Sequence, residues 1–205
     1  MKNKICILDY GSGNIRSVYN LAEHLGVNCT ISNKESDILG ASHLILPGVG
    51  AFGSVMGKIK SKIPIETLEK AVFEENKPFL GICIGMQVLA DEGFEFGHHK
   101  GLGWISGSVK EIETKGEILP HIGWNNIKIV QESPLLEGLG SVRDFYFVHS
   151  YAYSVKDEVN VYGTVEYGTE FPVVVQKNNI FGVQFHPEKS QQGGKKLMKN
   201  FIDLK

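Results

Sequence analysis

The sequence predicts an α/β fold in which helices flank a mostly parallel central sheet, with extra antiparallel strands in the C-terminal half. In the first half, short apolar runs alternate with segments of helical spacing, which is typical of a parallel sheet covered by helices. In the second half, short β-like stretches follow one another with turn residues between them. The chain has 205 residues, a length that suits a single domain over residues 1–205.

The first half contains four predicted strands and three predicted helices. The strands are short apolar runs at residues 5–8, 27–31, 44–46 and 79–82. The first helix is predicted over residues 15–25, because its apolar residues fall on one face and Gly26 stands where a helix would end. A second helix is predicted over residues 65–75, before Pro78, and a third begins within residues 86–90.

The second half is predicted to be mainly strand, of mixed direction. Its β-like stretches lie at residues 109–112, 126–130, 145–153, 159–165, 173–176 and 181–185. A last helix is predicted over residues 193–204. Neither half contains an internal repeat, a linker or a low-complexity segment.

Composition and charge exclude several classes of function. The formal net charge is −2 and no block of lysine or arginine stands out, so electrostatics favours neither nucleic acid nor a membrane surface as partner. No apolar run is long enough for a signal peptide or a membrane span. We therefore expect a cytoplasmic protein.

The chain contains three cysteines, Cys6, Cys29 and Cys83. An odd count without a Cys-x-x-Cys pair argues against a disulfide framework and against a zinc site, so no metal is predicted. Cys6 lies within an apolar run and Cys29 has no catalytic neighbours in sequence, so both are interpreted as small buried hydrophobic residues. Cys83 has a different setting.

The segment Gly81-Ile82-Cys83-Ile84-Gly85 follows a predicted strand and precedes a predicted helix. This is the context of a nucleophile elbow, in which a sharp turn exposes the nucleophile and flanking glycines let strand and helix pass closely. The helix N-terminus would favour a thiolate. The five-residue pattern alone is equally compatible with a buried structural cysteine.

A candidate base for Cys83 occurs near the end of the chain. His186 follows the β-like run Val183-Gln184-Phe185, Pro187 fixes the local turn, and Glu188 is near enough in sequence to orient the imidazole. Together with Cys83 these residues would form a catalytic triad with cysteine as nucleophile and glutamate as the orienting group. Taken alone, His-Pro-Glu is also typical of a surface turn.

The loop Pro47-Gly48-Val49-Gly50 follows the third predicted strand. Its glycines would let backbone N–H groups point at a developing negative charge, as an oxyanion hole requires. An ordinary glycine-rich β–α loop is an equally good interpretation. A phosphate site is disfavoured because neither a Walker A sequence nor G-x-G-x-x-G is present.

These three motifs, in this order, resemble those of the class I glutamine amidotransferases. The resemblance implies the α/β fold of that family and a reaction without a cofactor. It implies that Cys83 is the nucleophile, His186 the general base and Glu188 its orienting carboxylate. By the same resemblance Gln87 contacts the substrate L-glutamine, and the loop Gly48, Val49 and Gly50 carries the oxyanion hole.

A narrower resemblance covers nearly the whole chain. Four blocks are similar to those of the glutaminase subunits of imidazole glycerol phosphate synthase, at residues 9–15, 120–125, 146–151 and 188–190. In that family the subunit forms a heterodimer with a (β/α)8-barrel cyclase and passes ammonia through the barrel. The products are imidazole glycerol phosphate and an aminoimidazole carboxamide ribonucleotide, which serve histidine and purine synthesis.

The same resemblance implies a docking face for the cyclase at Asn14, Trp124, Tyr146 and Lys189. Trp124 and Tyr146 are also physically suitable anchors, because they are large and amphipathic. Core packing, or a surface position without a partner, is an equally good interpretation of each residue taken singly.

The sequence departs from the family pattern at a few positions. Ile122 replaces the usual methionine and Ile84 the usual leucine, and residues 90–102 match less well. His98 and His99 lie in that segment and are interpreted as part of a solvated loop, because no other metal ligands join them. His121 and His149 are assigned no catalytic role, since His186 has the better-placed carboxylate.

Three other functions remain open at this stage. The chain could serve a related sugar amidotransferase of surface-polysaccharide synthesis, with the same triad and another acceptor. It could be a non-catalytic binding subunit with an inactive elbow, which the complete triad disfavours. It could also hydrolyse another amide or ester, which Gln87 and the docking blocks disfavour. Fold alone does not separate these alternatives.

Overall fold

The computed structural model describes residues 3–205, which contain fourteen strands and six α-helices, together with shorter 3₁₀ and π-helical turns. The strands are β1 (Lys4–Leu8), β2 (Asn28–Ser32), β3 (His43–Gly48), β4 (Phe79–Cys83), β5 (Glu92–Gly93), β6 (His99–Lys100), β7 (Gly107–Glu111), β8 (His121–Asn126), β9 (Lys128–Ile129), β10 (Asp144–His149), β11 (Tyr151–Val155), β12 (Val161–Tyr167), β13 (Thr169–Lys177) and β14 (Ile180–Val183). The helices are α1 (Ile15–His24), α2 (Glu35–Gly40), α3 (Phe52–Lys62), α4 (Ile65–Glu69), α5 (Ile84–Gln87) and α6 (Gln191–Ile202).

The central sheet has eight strands in the order β2-β1-β3-β4-β14-β13-β12-β9. The five strands from β2 to β14 run parallel, and β13, β12 and β9 extend the sheet in antiparallel fashion. The predicted fold class is therefore confirmed, including the antiparallel strands contributed by the second half. The parallel strand β14 comes from the far end of the chain and lies directly beside β4.

Two smaller sheets complete the strand structure. Strands β8 and β10 form an antiparallel pair, and β11, β7, β5 and β6 form a second sheet in that order. The predicted strand over residues 145–153 is in fact two strands, β10 and β11, which separate at Ser150 and join different sheets. This break matters for the site, because the chain lines a cleft where the two strands part.

Apolar side chains pack on both faces of the central sheet. Ile5 and Ile7 of β1 belong to one buried cluster, whereas Cys6 and Leu8 belong to another. Alternate residues of a strand point to opposite faces, so the two clusters are the two sides of the sheet. Residues of α1 and α6 contribute to the first cluster and residues of α3 to the second.

Sequence analysis missed two helices and overestimated a third. Helix α2 has six residues and buries only Ile38, so it carries almost no periodic signal. Helix α3 buries Phe52, Val55, Met56 and Ile59, but its glycines weaken helix propensity. The helix predicted to begin within residues 86–90 instead starts at Ile84 and lasts one turn.

Candidate active site

The elbow at Cys83 is formed where β4 ends and α5 begins. Cys83 has φ 56° and ψ −112°, a conformation that is strained for a residue with a side chain and is found where the surrounding structure enforces it. Cys83 is buried, and its neighbour in the sheet register is Gly48 at the end of β3. The strained turn agrees with the sequence interpretation of this segment as a nucleophile elbow.

The two elbow glycines are required by close backbone contacts. A methyl group on Gly81 would overlap the backbone of Gly85, and one on Gly85 would overlap the carbonyl oxygen of Leu46 on β3. Backbone atoms cannot move aside as a flexible side chain can. The short helix α5 therefore sits directly on the parallel sheet, which fixes the position of the Cys83 turn.

Substitution Gly85→Ala is expected to lower the free energy of unfolding by about 3 kcal/mol, because the added methyl group forces the elbow away from β3. Gly57→Ala is the matched control, since Gly57 lies in α3 with no atom within 4 Å of an added methyl group. The control should be neutral or stabilising by up to about 1 kcal/mol. Urea unfolding of both variants measures the difference, and equal stabilities would contradict the close contact.

His186 and Glu188 form a buried pair. The Nδ1 atom of His186 lies 2.8 Å from Oε1 of Glu188, and neither side chain is exposed to solvent. The backbone N–H of His186 donates to the carbonyl of Tyr146 at 2.9 Å, and Pro187 starts a 3₁₀ turn that brings Glu188 back to the imidazole. Because Nδ1 is engaged by Glu188, Nε2 is the ring nitrogen left for a reacting group.

The surroundings of the pair favour its charged form. Burial disfavours a positive charge on His186, but the neighbouring Cys83 and Glu188 outweigh burial and raise the pKa of the imidazole above its ordinary value. Burial likewise disfavours the Glu188 carboxylate, yet hydrogen bonds from His186 and Asn14 lower its pKa. The arrangement is suited to hold an imidazolium beside Cys83.

Asn14 lies inside the protein, although it was predicted on the docking face. It is 7% exposed, and its Nδ2 donates to Oε1 of Glu188 at 3.0 Å. The Ser12 hydroxyl in turn donates to Oδ1 of Asn14 at 2.8 Å. In this structure Asn14 therefore supports the carboxylate of the pair and presents little surface to a partner.

Cys83 opens into a cleft that also contains predicted substrate-binding residues. Val49, Gly50 and Gln87 line the cleft, and Gly50 has φ 117°, a value that residues with side chains rarely adopt. Gly48 lies just behind them, paired with Cys83 in the sheet. Because β3 and β4 are parallel neighbours, the glycine loop that follows β3 and the Cys83 elbow that follows β4 lie at the same edge of the sheet.

Sequence analysis missed several residues that line this cleft. Glu95 and Phe96 come from the segment that matched the family pattern poorly, so no motif indicated them. Ser150 and Tyr151 belong to a recognised block but carried no assigned role. Ser150 and Tyr151 reach the cleft because β10 and β11 separate there, whereas sequence analysis predicted one continuous strand.

Gln87 is oriented by two hydrogen bonds. Its Nε2 donates to the carbonyl of Tyr151 and to Oε1 of Gln184, both at 2.9 Å. Gln184 is fully buried, and its own Nε2 lies 3.6 Å from Sγ of Cys83. Since both amide hydrogens of Gln87 have protein acceptors, its Oε1 is the atom available to accept a hydrogen bond from a ligand.

The other three residues of the predicted docking face lie together on one surface. Trp124 on β8 and Tyr146 on β10 are paired in the register, with ring centroids 6.2 Å apart, and Nζ of Lys189 lies 5.4 Å from the Tyr146 ring. Trp124 is 48% exposed and the neighbouring Ile122 is 58% exposed. The backbone carbonyl of Tyr146 accepts a hydrogen bond from the backbone N–H of His186, so this surface adjoins the candidate triad.

Two further features concern metals and membranes. Within residues 3–205 the structure contains no group of three or more His, Cys, Asp or Glu side chains arranged to hold a metal ion. His98 instead contacts Glu92 at 2.7 Å. In the same part of the chain, no helix has the length and apolar character needed to cross a membrane.

Comparisons with known proteins identify the family. The family model described as glutamine amidotransferase class-I matches residues 6–204. Imidazole glycerol phosphate synthase subunit HisH of Zymomonas mobilis is 44% identical over 99% of this chain and 99% of its own. The protein of the same name from Methanocaldococcus jannaschii is 44% identical over 98% of this chain and 99% of its own.

Solved structures agree with this fold. The structure of PurLQS from Thermotoga maritima has a TM-score of 0.75 at 21% identity and covers 99% of both chains. A glutamine amidotransferase from the same organism has a TM-score of 0.69 at 12% identity and covers 100% of both chains. At these identities the likeness concerns the fold alone.

The fold and the matching family model define the chain as a class I glutamine amidotransferase. Within that class, relatives more than 40% identical over their full length show that it belongs to the HisH family of imidazole glycerol phosphate synthase subunits. The family predicted from the sequence motifs is thereby confirmed.

Proposed function

We propose that this chain hydrolyses L-glutamine to glutamate and ammonia as the glutaminase subunit of an imidazole glycerol phosphate synthase. One observation carries the proposal. The strained Cys83 and the oriented Gln87 line one cleft, and Cys83 interacts with the buried His186–Glu188 pair, although these residues come from distant parts of the sequence. Nucleophile, base, orienting carboxylate and substrate contact are the groups that amide hydrolysis through a thioester requires.

In the proposed mechanism the Cys83 thiolate attacks the carboxamide carbon of glutamine and forms a C–S bond. The negative charge moves to the amide oxygen, which backbone N–H groups of the Val49 and Gly50 loop stabilise. The C–N bond then breaks, and His186 protonates the departing nitrogen so that ammonia leaves. Water attacks the thioester while His186 accepts a proton, and glutamate is released from the restored Cys83.

Substrate recognition is proposed to involve polar groups beside the nucleophile. The free Oε1 of Gln87 accepts an N–H of glutamine, because both amide hydrogens of Gln87 are engaged within the protein. Glu95 lines the same cleft and provides a negative charge for the amino group of the substrate. Its carboxylate is held in place by the backbone N–H of Phe52 at 2.8 Å.

We further propose a heterodimer with a (β/α)8-barrel cyclase that receives the ammonia. The cluster of exposed Trp124 and Lys189 with half-buried Tyr146 supports this docking face, because tryptophan and tyrosine are enriched among the residues that dominate binding at such contacts. The partner would use the ammonia to form imidazole glycerol phosphate and the aminoimidazole carboxamide ribonucleotide of histidine biosynthesis. The cytoplasmic location stays a prediction from the sequence.

The decisive experiment measures glutamate release from glutamine with and without a cyclase barrel subunit that carries its ribonucleotide ligand. The partner is expected to raise the rate of glutamate release about tenfold or more. The reason is that the proposed docking face includes Tyr146, whose backbone carbonyl is hydrogen-bonded to His186. A cyclase that is active with free ammonia provides the control for a competent partner. Glutamate release without stimulation by that partner would contradict the synthase assignment and favour a sugar amidotransferase complex.

A further inference from the structure

Two buried histidines outside the candidate triad contact each other. His121 on β8 is 2% exposed and His149 on β10 is 7% exposed. Nδ1 of His121 lies 3.1 Å from Nε2 of His149. Sequence analysis assigned neither residue a catalytic role, and the mechanism proposed above uses neither.

The contacts of the pair determine where its hydrogens lie. Nδ1 of His149 is 2.9 Å from the carbonyl of Tyr151, which can only accept, so Nδ1 carries the hydrogen. In a neutral imidazole Nε2 of His149 is then an acceptor, and Nδ1 of His121 must donate to it. Nε2 of His121 accepts in turn from Nδ2 of Asn125 at 3.2 Å, whose other hydrogen points to the carbonyl of Glu166.

Carbonyl groups at both ends therefore impose one direction on the whole chain of hydrogen bonds. A proton added to either histidine would place two donors face to face. The surroundings agree, because the His121 ring stacks between Phe147 and Tyr167 at centroid distances of 4.7 and 4.2 Å. Burial lowers the pKa of His121 to about 4 and that of His149 to about 3, which keeps both rings neutral near pH 7.

The inner end of this chain reaches the substrate cleft. The Tyr151 carbonyl that accepts from His149 also accepts from Nε2 of Gln87, at 2.9 Å in both cases. Gln87 donates to Gln184, and Nε2 of Gln184 contacts Sγ of Cys83. The outer end is Asn125, the sequence neighbour of the exposed Trp124. One continuous set of contacts thus joins the predicted docking surface to the nucleophile.

We propose that His121 and His149 are positioning residues which, as a neutral pair with both hydrogens on Nδ1, hold the Tyr151 carbonyl and through it the substrate-contacting Gln87. This inference rests on the proposed glutaminase function. The effect should fall on glutamine binding more than on the chemical step, because the pair acts on the residue that orients the substrate.

Three substitutions test the positioning role in otherwise identical complexes. His121→Phe keeps a planar ring between Phe147 and Tyr167 but removes the donor to His149. His121→Asn retains an N–H donor near the position of Nδ1 and should restore function. His43→Phe is the matched control, since His43 is equally buried and contacts Ser42 at the opposite end of β3 from Gly48.

For His121→Phe the KM for glutamine is expected to rise about tenfold while kcat falls less than about threefold, because a buried acceptor loses its donor. His121→Asn and His43→Phe should stay within about threefold of the wild type in both constants. An unchanged KM in His121→Phe, or an equal rise in His43→Phe, would overturn the proposal.

Nitrogen-15 NMR of the imidazole rings provides a readout that does not depend on activity or on the folding of a variant. In the wild type at neutral pH, both His121 and His149 should be neutral with the hydrogen on Nδ1, the less common tautomer in solution. A hydrogen on Nε2 of either ring would overturn the proposed direction of the hydrogen bonds from Asn125 to the Tyr151 carbonyl. A wild type without glutaminase activity would contradict the proposed function instead. The NMR result would then test the arrangement of the two histidines independently of activity.

Discussion

Replacing Cys83 with alanine is expected to lower kcat for glutamine hydrolysis by about 10⁵-fold or more, to the background of the assay. Alanine lacks the sulfur atom that forms the thioester, and no neighbouring group can substitute for it. The strained turn should survive, because alanine has the same Cβ atom as cysteine and adds no clash at φ 56°. The loss should therefore appear in chemistry and leave the fold and substrate affinity in place.

Glutamate release by Cys83→Ala and by Cys29→Ala gives a direct comparison. Cys29 lies half-buried on β2, away from the cleft, so its loss should leave kcat within about twofold of the wild type. A glutamine analogue with an electrophilic carbon in place of the carboxamide should alkylate the wild type and the Cys29 variant at Cys83. Continued hydrolysis by Cys83→Ala would refute the assignment of the nucleophile.

The substitution Glu188→Gln is expected to reduce kcat by about 10³-fold with little change in KM. The neutral amide keeps the shape of the side chain but no longer stabilises a positive charge on His186, 2.8 Å away. It can also present an N–H to Nδ1, which would place the imidazole hydrogen on the nitrogen that must face the reaction. The loss should be smaller than for Cys83, since the nucleophile remains.

The pH dependence of the Glu188 variant has a defined sign. Cys83 and Glu188 together raise the pKa of His186, so removing the carboxylate lowers that pKa. If the active form contains the imidazolium, the alkaline limit of kcat/KM moves to lower pH in Glu188→Gln. The exposed Glu66 on α4 supplies a control, because Glu66→Gln removes one negative charge without touching the site. Matching profiles for wild type and Glu188→Gln would argue against a charge-stabilising role for Glu188.

Much of the fold could be predicted because its main elements carry strong local signals. The parallel strands are continuous apolar runs, which is what burial on both faces of a sheet requires. The errors fall where local signals are weak or misleading. The run at residues 145–153 reads as one strand because nothing in its apolar pattern marks Ser150, yet tertiary pairing sends β10 and β11 to different sheets.

Only those residues of the candidate site that lie in sequence motifs could be predicted. Cys83, His186 and Glu188 stand in recognisable local patterns, and the structure brings them together because β14 lies beside β4. The sequence did not predict the contact between Asn14 and Glu188, since that contact depends on how α1 meets the 3₁₀ turn. Glu95 carries no motif, so only the cleft itself reveals it.

The sequence by itself determined the fold class, the family and the candidate nucleophile with its base, because each is encoded in short segments whose chemistry is local. Only the tertiary structure decided which groups share a cleft, which acceptors bind the amide nitrogen of Gln87 and which groups contact the rings of His121 and His149. Those properties depend on hydrogen-bond partners far apart in sequence. The direction of a hydrogen bond is set by both of its partners, and a single segment contains only one of them.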